Sequence, residues 1–389
     1  MSSPIIITEK TNLRPTWAEV SLGQLRANFR AIRDRVAPAT TVCAVVKAHA
    51  YGHGAVECAH ALEQEGATWF GVTSTDEGMA LRNGGIGGHV LLMTGFWHGD
   101  ESYVIEHDLT PAVWTAEQID NLEAAAQKLR KNVAIHLKVD TGMARLGADP
   151  SELPALLSRL RASSRLRFEG FFTHLASAEV TDAPDVDAQA ACFERLLAQV
   201  RGAGFSPEYV HMANTSGMAT RRSLWKDLVR PGLGLYGYNL DYVSKSGGTP
   251  DTSMNLPVSP VLSWKSRVFN LRNVRAGQAI GSSGTYVTPR PARIAALPIG
   301  YADGLVRKLS SRGQVIIRGE YAPMVGNISM DITLVDVTSI PGVTIGDEAI
   351  VIGSAGERRI TAWDHARIAQ TIPYEILCNV SKRVPRQYV

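Results

Sequence analysis

Reactive side chains follow several short apolar runs of this chain, each at the point where a strand is predicted to end. Lysine, arginine, histidine and asparagine are the types involved, and they can supply a nucleophile, a proton carrier and anion-binding groups. The segments that carry them are Ala44–Gly54, Lys138–Arg145, His174, His211–Gly217 and Arg230–Gly234. This pattern indicates chemistry on a small molecule that carries an anionic group.

Lys47 is the candidate nucleophile. It follows the apolar run Val42–Val46, and desolvation at the end of such a run lowers the pKa of a lysine. A neutral amine there can form a Schiff base with a carbonyl compound. The alternative is a lysine whose stem packs while its ammonium reaches water, which is the more common role of a strand-end lysine.

An anion-binding site is predicted after the seventh and eighth strands. Asn214, Thr215 and Ser216 offer polar side chains there, and the turn Gly232–Gly234 offers backbone amides. Barrel enzymes often bind phosphate at this position. A Schiff-base lysine together with a phosphate site indicates pyridoxal phosphate as the cofactor.

Two other patterns match known binding motifs, one for a dinucleotide and one for a metal, but their surroundings do not support either site. Gly232–Gly237 matches G-x-G-x-x-G, but a linker follows it where a dinucleotide site needs a helix. His49 and His53 are four residues apart, but they lie in a glycine-broken loop with no third ligand nearby in the sequence. We therefore predict neither a dinucleotide site nor a metal site.

The elements that would position these residues alternate between strands and helices. Helical spacing of apolar residues is found, for example, in Leu22–Val36, Ala55–Glu65, Ala116–Lys131, Ser151–Ala162 and Asp187–Gly202. The predicted strands are Thr41–Lys47, Trp69–Val72, His89–Met93, Leu109–Val113, Val133–Lys138, Phe168–Thr173, Tyr209–His211 and Leu228–Arg230. Eight strands alternating with helices predict a closed α/β barrel, which typically takes about 250 residues. An open doubly wound sheet is the alternative, but it usually has fewer strands.

A second, mostly-β domain follows. The segment Asp241–Leu256 is rich in Ser, Gly, Pro and Asp and suggests a linker. The predicted strands beyond it are Val261–Val268, Arg293–Pro298, Gln314–Ile317, Tyr321–Val325, Ile332–Val337 and Glu348–Ile352, with one helix at Thr361–Gln370. We therefore expect a barrel over residues 21–245 and a β-rich domain over residues 246–389.

Composition excludes several other classes of protein. The 389 residues are 45% hydrophobic and 20% charged, with a net charge of +3, which is typical of a folded globular chain. Basic residues never run longer than a pair, so we expect no nucleic-acid partner. The apolar runs are too short to span a bilayer, and the first residues do not form a signal peptide. The four cysteines lie far apart, which is typical of reduced thiols in a cytoplasmic protein.

Seven motifs, in this order, make the chain resemble the alanine racemase family. They are K-A-H-A-Y-G-H-G from Lys47, K-V-D-T-G-M-A-R, T-H-L-A-S-A, H-M-A-N-T-S-G, V-R-P-G-L-G-L-Y-G, P-I-G-Y-A-D-G and P-Y-E-I-L. The resemblance runs from about Thr16 to Arg383. It implies an isomerase that uses pyridoxal phosphate to interconvert L-alanine and D-alanine, supplying D-alanine for peptidoglycan. It also implies a head-to-tail homodimer with shared active sites, and a strand at residues 12–20 that joins the β domain.

The resemblance also assigns roles to individual residues. Lys47 would hold the cofactor covalently and act as the base on one face of the substrate Cα. His174 would pack against the pyridine ring, and Arg145 would bond the ring hydroxyl, held by Lys138, which the family often carries as a carbamate. The phosphate ligands would be Tyr51, Thr215, Gly232, Leu233 and Tyr374, beside the Asn214 noted above. The substrate would meet Arg145 and, through the main chain of the partner subunit, the positions of Met330 and Asp331.

Arg230 would face the pyridine nitrogen. An arginine does not release its proton at working pH, so the ring nitrogen stays unprotonated and accepts the hydrogen bond. The ring is then a weaker electron sink, which limits side reactions such as transamination. This suits an enzyme that only removes and returns one proton.

One departure from the family falls on the chemistry. The family supplies its second base as a tyrosine of the partner subunit, and counting back from Tyr301 without a gap places that position on Ser282. Tyr286 matches a neighbouring position. A serine hydroxyl is not a base without its own activator, and losing one positioned base typically costs about 10²- to 10⁴-fold. We therefore expect weak racemisation and room for larger or β-hydroxy amino acids.

Several alternatives follow from Ser282. In the wider pocket His174 could take the β-hydroxyl proton and drive retro-aldol cleavage, which would make the chain an aldolase or a broad-specificity racemase. Alternatively Tyr286 or a water replaces the missing base, or the chain is an engineered variant of an ordinary racemase. A non-catalytic pyridoxal phosphate carrier is a further alternative, but such proteins resemble the barrel alone.

Overall fold

The computed structural model describes residues 14–389, which form two compact units. One unit is Leu22–Ser259, and the other combines Pro260–Val389 with the segment that ends at Ser21. Residues 12 and 13, which the resemblance adds to the first strand, lie outside the described residues. In the described part of the chain, no helix combines the length and apolar character needed to cross a bilayer.

The first unit is an eight-stranded parallel barrel, as the sequence predicts. Its strands are Thr41–Val45, Trp69–Val72, His89–Leu92, Thr110–Val113, Val133–Lys138, Leu166–Phe172, Tyr209–His211 and Leu228–Val229, paired in chain order. The last strand pairs with the first through Thr41 and Leu228. The seventh and eighth strands meet through an isolated bridge between Asn214 and Arg230, so the barrel is nearly closed.

Helices cover the outside of the barrel strands. They are Leu22–Arg35, Ala55–Gln64, Thr75–Asn83, Glu101–Glu106, Ala116–Leu129, Leu153–Ala162, Pro184–Gly202 and Thr215–Thr220. Their starts follow local sequence: Thr115 and Gln118 form a capping box before Ala116–Leu129, and Ser74 caps Thr75–Asn83. Three strands are buried along their whole length, as expected for parallel strands covered on both faces.

The segment Asp241–Leu256 packs on the barrel, although its composition suggests a linker. Tyr242 and Leu256 are buried, and the backbone N–H of Thr181 donates to the carbonyl of Val243. The side-chain amide of Asn239 bonds the backbone of Leu256 in both directions. A few buried anchors therefore outweigh the polar composition of the segment.

The second unit is built on a seven-stranded sheet that includes the first described strand. The strand Thr16–Val20 lies between Leu262–Arg267 and Arg386–Tyr388. The other strands of this sheet are Gln314–Ile317, Glu320–Pro323, Glu348–Ala355 and Arg358–Ile360. Smaller sheets contain Asn270–Val274, Ala292–Leu297 and Thr333–Asp336, and Ala279–Ile280 with Tyr286–Val287; the helices are Ala362–Ala369 and Pro373–Cys378.

Candidate functional site

The candidate site of the first unit lies at the carboxyl ends of the barrel strands. Lys47 follows the first strand, Lys138 is the last residue of the fifth, His174 follows the sixth and Arg230 follows the eighth. The charges of Lys47, Arg145 and Arg230 all act on both Lys138 and His174. The fold therefore brings these sequence-predicted residues together.

Lys47 begins a turn of left-handed backbone. The next four residues, Ala48 to Tyr51, have φ between 51° and 56°. Non-glycine residues pay roughly 1–2 kcal/mol each for this conformation, and such strain is found mainly at functional sites. Hydrogen bonds hold the turn: Ala50 N–H donates to the Val46 carbonyl at 2.8 Å, and Glu77 Oε1 accepts from Ala48 N–H at 2.6 Å. This turn was not predicted from the sequence, because the segment Ala48–Tyr51 carries no signal for left-handed backbone.

The left-handed turn brings Tyr51 against the turn that follows the eighth strand. A Cβ placed on Gly232 would lie 2.2 Å from the Tyr51 hydroxyl, so only glycine fits there. The Tyr51 ring is buried, and its centroid is 4.8 Å from that of Tyr236, whose hydroxyl donates to the Val45 carbonyl at 2.9 Å. The contact thus joins the segment after Lys47 to the predicted anion site.

Thr215 organises the backbone of that anion site. Its Oγ1 accepts hydrogen bonds from the N–H groups of Gly232 at 2.9 Å and Gly234 at 3.4 Å. Both bonds use its lone pairs, which leaves the hydroxyl hydrogen to donate to an anion. Asn214 caps the short helix Thr215–Thr220 through Gly217 N–H at 2.9 Å, and Leu233 is buried in the adjoining turn.

Arg230 is buried and held by three acceptors. Its Nη1 donates to His211 Nδ1 at 2.5 Å, and its Nη2 donates to the carbonyls of Thr173 at 2.9 Å and Met212 at 3.1 Å. Burial lowers the pKa of Arg230 to about 10, so the guanidinium stays charged at neutral pH. The hydrogen bonds of Arg230 use Nη1 and Nη2, and within residues 14–389 the Nε–H donates to no group, so it is available to a ligand.

Lys138 is only partly protonated at neutral pH in the unmodified protein. Burial, followed by the charges of Arg230, Arg145 and Lys47, lowers its pKa to about 7. Its Nζ donates to the Met93 carbonyl at 3.1 Å and lies 5.4 Å from the ring centroid of Phe172. A lysine surrounded by cations cannot hold Arg145 as it stands, since both carry positive charge when protonated.

His174 is a neutral imidazole in this environment. Burial and the charge of Arg230 hold the pKa of His174 well below its usual range. Its Nδ1 lies 3.4 Å from Arg230 Nη2, while its backbone carbonyl accepts from Gln189 Nε2 at 3.1 Å. Arg145, in contrast, is exposed at the rim.

The second unit carries the remaining predicted residues. Ser282 is exposed at the start of the short turn Ser282–Gly284, and its carbonyl accepts from Asn327 Nδ2 at 3.0 Å. Met330 is exposed, Asp331 accepts from Arg383 at 2.6 Å, and Tyr374 lies on the helix Pro373–Cys378. In the described part of the chain, no hydrogen bond joins Ser282 to Asp331.

Tyr286, one proposed substitute for the missing tyrosine, packs elsewhere. Its strand pairs with Ala279–Ile280, and its ring packs against a cluster that includes Val274 and Ile294. Releasing the ring into a neighbouring site would expose this apolar cluster to water, which is unfavourable. The structure therefore gives no support to Tyr286 as the second base.

His53 contacts the backbone of the loop that follows Lys47. His53 Nδ1 lies 2.9 Å from the Tyr51 carbonyl, and its ring centroid is 4.6 Å from that of Tyr236. Across residues 14–389, no group of three or more His, Cys, Asp or Glu side chains could hold a metal ion. His53 thus supports the left-handed turn.

Comparison with known proteins gives matches along almost the whole chain. The family models for the alanine racemase N-terminal and C-terminal domains match residues 20–240 and 261–388. Alanine racemases of Symbiobacterium thermophilum and Geobacter sulfurreducens are 40% and 39% identical to it, with 97% of each chain covered.

Solved structures of alanine racemases also match this chain along almost its whole length. The alanine racemase from D-cycloserine-producing Streptomyces lavendulae superposes with a TM-score of 0.89 at 34% identity, covering 97% of each chain. That of Bartonella henselae, solved with covalently bound pyridoxal phosphate, gives 0.84 at 32% identity, covering 96% of this chain and 99% of that one.

Proposed function

The chain belongs to the alanine racemase family, and from this premise we propose that it is a pyridoxal phosphate-dependent isomerase that interconverts L-alanine and D-alanine. The observation that carries the proposal is the contact between Tyr51 and Gly232. This contact joins the turn that begins at Lys47 to the segment that we propose binds the phosphate, and the cofactor needs both groups close together. The match to the C-terminal domain argues against a non-catalytic carrier, which resembles the barrel alone.

The residues present fit the cofactor. Thr215 keeps a hydroxyl hydrogen for an anion, and Arg230 keeps its Nε–H. Lys47 would hold the cofactor covalently, the phosphate would lie against Tyr51, Thr215, Gly232 and Leu233, and Tyr374 would complete the set. When bound, pyridoxal phosphate withdraws electrons from the substrate and so acidifies its Cα–H.

Lys47 would then carry a proton to and from one face of Cα, once the substrate amine has released it. Arg230 stays protonated because its pKa of about 10 is above neutral pH. It would therefore donate a hydrogen bond to the pyridine nitrogen without protonating it, and this would moderate the electron withdrawal. The neutral ring of His174 can pack against the cofactor without adding another cation to the site.

Lys138 is proposed to act as a carbamate. With a pKa of about 7, a large fraction of its amine is neutral at physiological pH, and the neutral amine is the form that attacks carbon dioxide. The product is an anion, which could accept hydrogen bonds from Arg145 and so hold it toward the ring hydroxyl. A carbamate signal in the carbon-13 spectrum after incubation with labelled bicarbonate, absent in Lys138→Ala, would test this.

The second face of Cα is proposed to be served from a partner subunit in a homodimer with shared sites, in the cytoplasm. Ser282, Met330 and Asp331 would be the partner's contribution. The expectation that Ser282 weakens racemisation stays a prediction. The exposed position of Ser282 on a short turn is compatible with a pocket that also admits β-hydroxy amino acids, which keeps aldolase activity as the second candidate.

The experiment uses L-alanine and D-alanine incubated separately with the cofactor-loaded protein and analysed by chiral chromatography. We expect both directions to run in the unmodified protein and to stop in Lys47→Ala. Ser282→Tyr should raise the rate by about 10²-fold or more if the second base is the missing part. No racemisation in either protein, with glycine and an aldehyde released from a β-hydroxy amino acid, would favour the aldolase.

A further inference from the structure

A row of buried polar side chains crosses the barrel interior behind Arg230. Arg230 Nη1 is 2.5 Å from His211 Nδ1, and His211 Nε2 is 2.9 Å from His136 Nδ1. His136 Nε2 is in turn 3.5 Å from Glu169 Oε2, and the other oxygen of Glu169 accepts from Arg167. The two histidines and Glu169 are at most 2% exposed.

The barrel makes room for this row. His136 and His211 lie on the strands on either side of Leu166–Phe172. A Cβ on Gly170, in that middle strand, would lie 2.3 Å from His136 Nδ1, and the pairing register shifts beside His136. Glycine at this position therefore lets the His136 ring reach across to His211.

The two ends of the row allow only one direction of hydrogen bonding. Arginine can only donate, so His211 Nδ1 must accept, and the hydrogen of its neutral ring must be on Nε2. That hydrogen goes to His136 Nδ1, which leaves the His136 hydrogen on Nε2, aimed at a carboxylate that can only accept. Burial lowers the pKa of both histidines, which keeps each ring neutral with a single hydrogen.

The last contact is long but has no competitor. The 3.5 Å between His136 Nε2 and Glu169 Oε2 is at the limit of a hydrogen bond. Within the described chain neither atom forms a hydrogen bond to any group, and their approach to each other is the contact that both have. Because a buried polar atom without a partner is costly, these two atoms satisfy each other or remain unsatisfied.

We propose that Glu169 and His136 are positioning residues for Arg230: the carboxylate fixes the hydrogen on each histidine, so that His211 presents a lone pair and holds the guanidinium in one orientation. The geometry of the row does not depend on the proposed function, whereas the importance of Arg230 for the reaction does. Of the three inner residues only His211 was singled out in the sequence, as the first residue of the segment His211–Gly217.

The test is nitrogen-15 NMR of histidine-labelled, cofactor-loaded protein. His136 and His211 are expected as neutral rings with the hydrogen on Nε2, assigned by their loss in His136→Gln and His211→Gln. An imidazolium, or a hydrogen on Nδ1 of either ring, would overturn the proposal. This spectrum can be interpreted without a variant of Glu169 and without a measurement of enzymatic activity. Its result therefore remains valid even if the protein does not catalyse the proposed reaction.

A pair of matched variants separates positioning from stability. Glu169→Gln can donate as well as accept, so the histidine signals should become mixed and kcat for alanine should fall about 10-fold with KM little changed. Glu123→Gln removes a carboxylate that bonds the backbone of Ser164 and Arg165 on the outside of the barrel, and should leave the histidine signals and kcat unchanged. Unchanged signals and kcat in Glu169→Gln would refute the role of the carboxylate.

Discussion

Single residues of the anion site are constrained by contact as well as by chemistry. The backbone of Gly232 touches the Tyr51 hydroxyl, and the Tyr51 ring is packed against Tyr236. The sequence predicted the glycine turn as a source of backbone amides. It did not predict that the turn must also admit a buried phenol, because that requirement comes from residues almost two hundred positions away.

Gly232→Ala should therefore weaken both the fold and cofactor binding. The added methyl group would displace Tyr51, and overpacking of this kind typically costs about 1–3 kcal/mol. Thermal unfolding without cofactor and titration with pyridoxal phosphate measure the two effects. Gly202→Ala is the control, since a Cβ there meets nothing within 4 Å. If the two variants had the same melting temperature and the same affinity for pyridoxal phosphate, the Tyr51 side chain would move aside without a measurable cost.

Lys138 should make the stability of the unmodified, cofactor-free protein depend on pH. Its pKa is about 7 in the fold, whereas an unfolded lysine keeps a value near 10.4. Between these values the unfolded chain binds a proton that the folded chain does not, so the free energy of unfolding rises with pH from about 7 to about 10. The penalty is fully present below pH 7.

Lys138→Met removes this penalty. Chemical denaturation in carbon dioxide-free buffers should show the variant more stable than the parent at pH 7, with the difference shrinking toward pH 10. The exposed Lys131→Met is the control and should follow the parent. Parallel curves for Lys138→Met and the parent would show that burial does not depress the pKa of Lys138.

At the scale of elements, the barrel strands were the most predictable part of the molecule. They are short, apolar and separated by helical stretches, and all eight were identified to within a few residues. His136 and Glu169, which form a buried row with His211, were not predicted, although His136 left a signal. His136 is two residues before Lys138 on the same strand, so both side chains point to the same face, which is the barrel interior.

The left-handed turn after Lys47 was not predictable. Two of its four residues are alanine, which favours the right-handed helix, and the turn is held by distant groups such as Glu77. Tertiary contacts here override local preference. The strands Ala279–Ile280 and Tyr286–Val287 were missed for a different reason: two residues are too few to show alternation.

Ala48→Gly should confirm the strain in the left-handed turn. Ala48 is exposed with φ of 51°, so glycine relieves the backbone without removing a buried contact. After the greater entropy of an unfolded glycine is subtracted, we expect a change between zero and about 1 kcal/mol of stabilisation. Ala124→Gly, exposed within the helix Ala116–Leu129, should lose about 1 kcal/mol. Chemical denaturation measures the free energy of unfolding of both variants. An equal loss of stability in the two would show that the backbone at Ala48 is not strained.

For the whole molecule, the sequence predicted the two architectures, and composition placed the division between them after residue 245. The contact-defined barrel unit runs to Ser259 because Tyr242 and Leu256 are buried anchors in a polar segment. Composition is an average over a segment, so two buried apolar residues are not recognised among the many Ser and Gly residues around them. The partner strands of Thr16–Val20 were likewise unpredictable from local pattern, since they lie far along the chain.

The second unit should not fold as the fragment 260–389 alone. Thr16–Val20 separates Leu262–Arg267 from Arg386–Tyr388, so the fragment would expose the edges of both strands. Joining residues 14–21 to Pro260 through a short hairpin should restore a cooperative thermal transition, because the Ser21 N–H already bonds the Val261 carbonyl. Cooperative unfolding of the fragment without the strand would contradict this expectation.

The position of that first strand also has a consequence for synthesis on the ribosome. Thr16–Val20 emerges about 240 residues before Leu262–Arg267, its antiparallel neighbour. At roughly 5–20 residues per second, it waits tens of seconds for a partner while the barrel residues behind it are being made. During translation the strand Thr16–Val20 therefore stays unpaired at the N-terminal side of the folding barrel. A chaperone that binds this strand at that stage would protect the nascent chain most effectively.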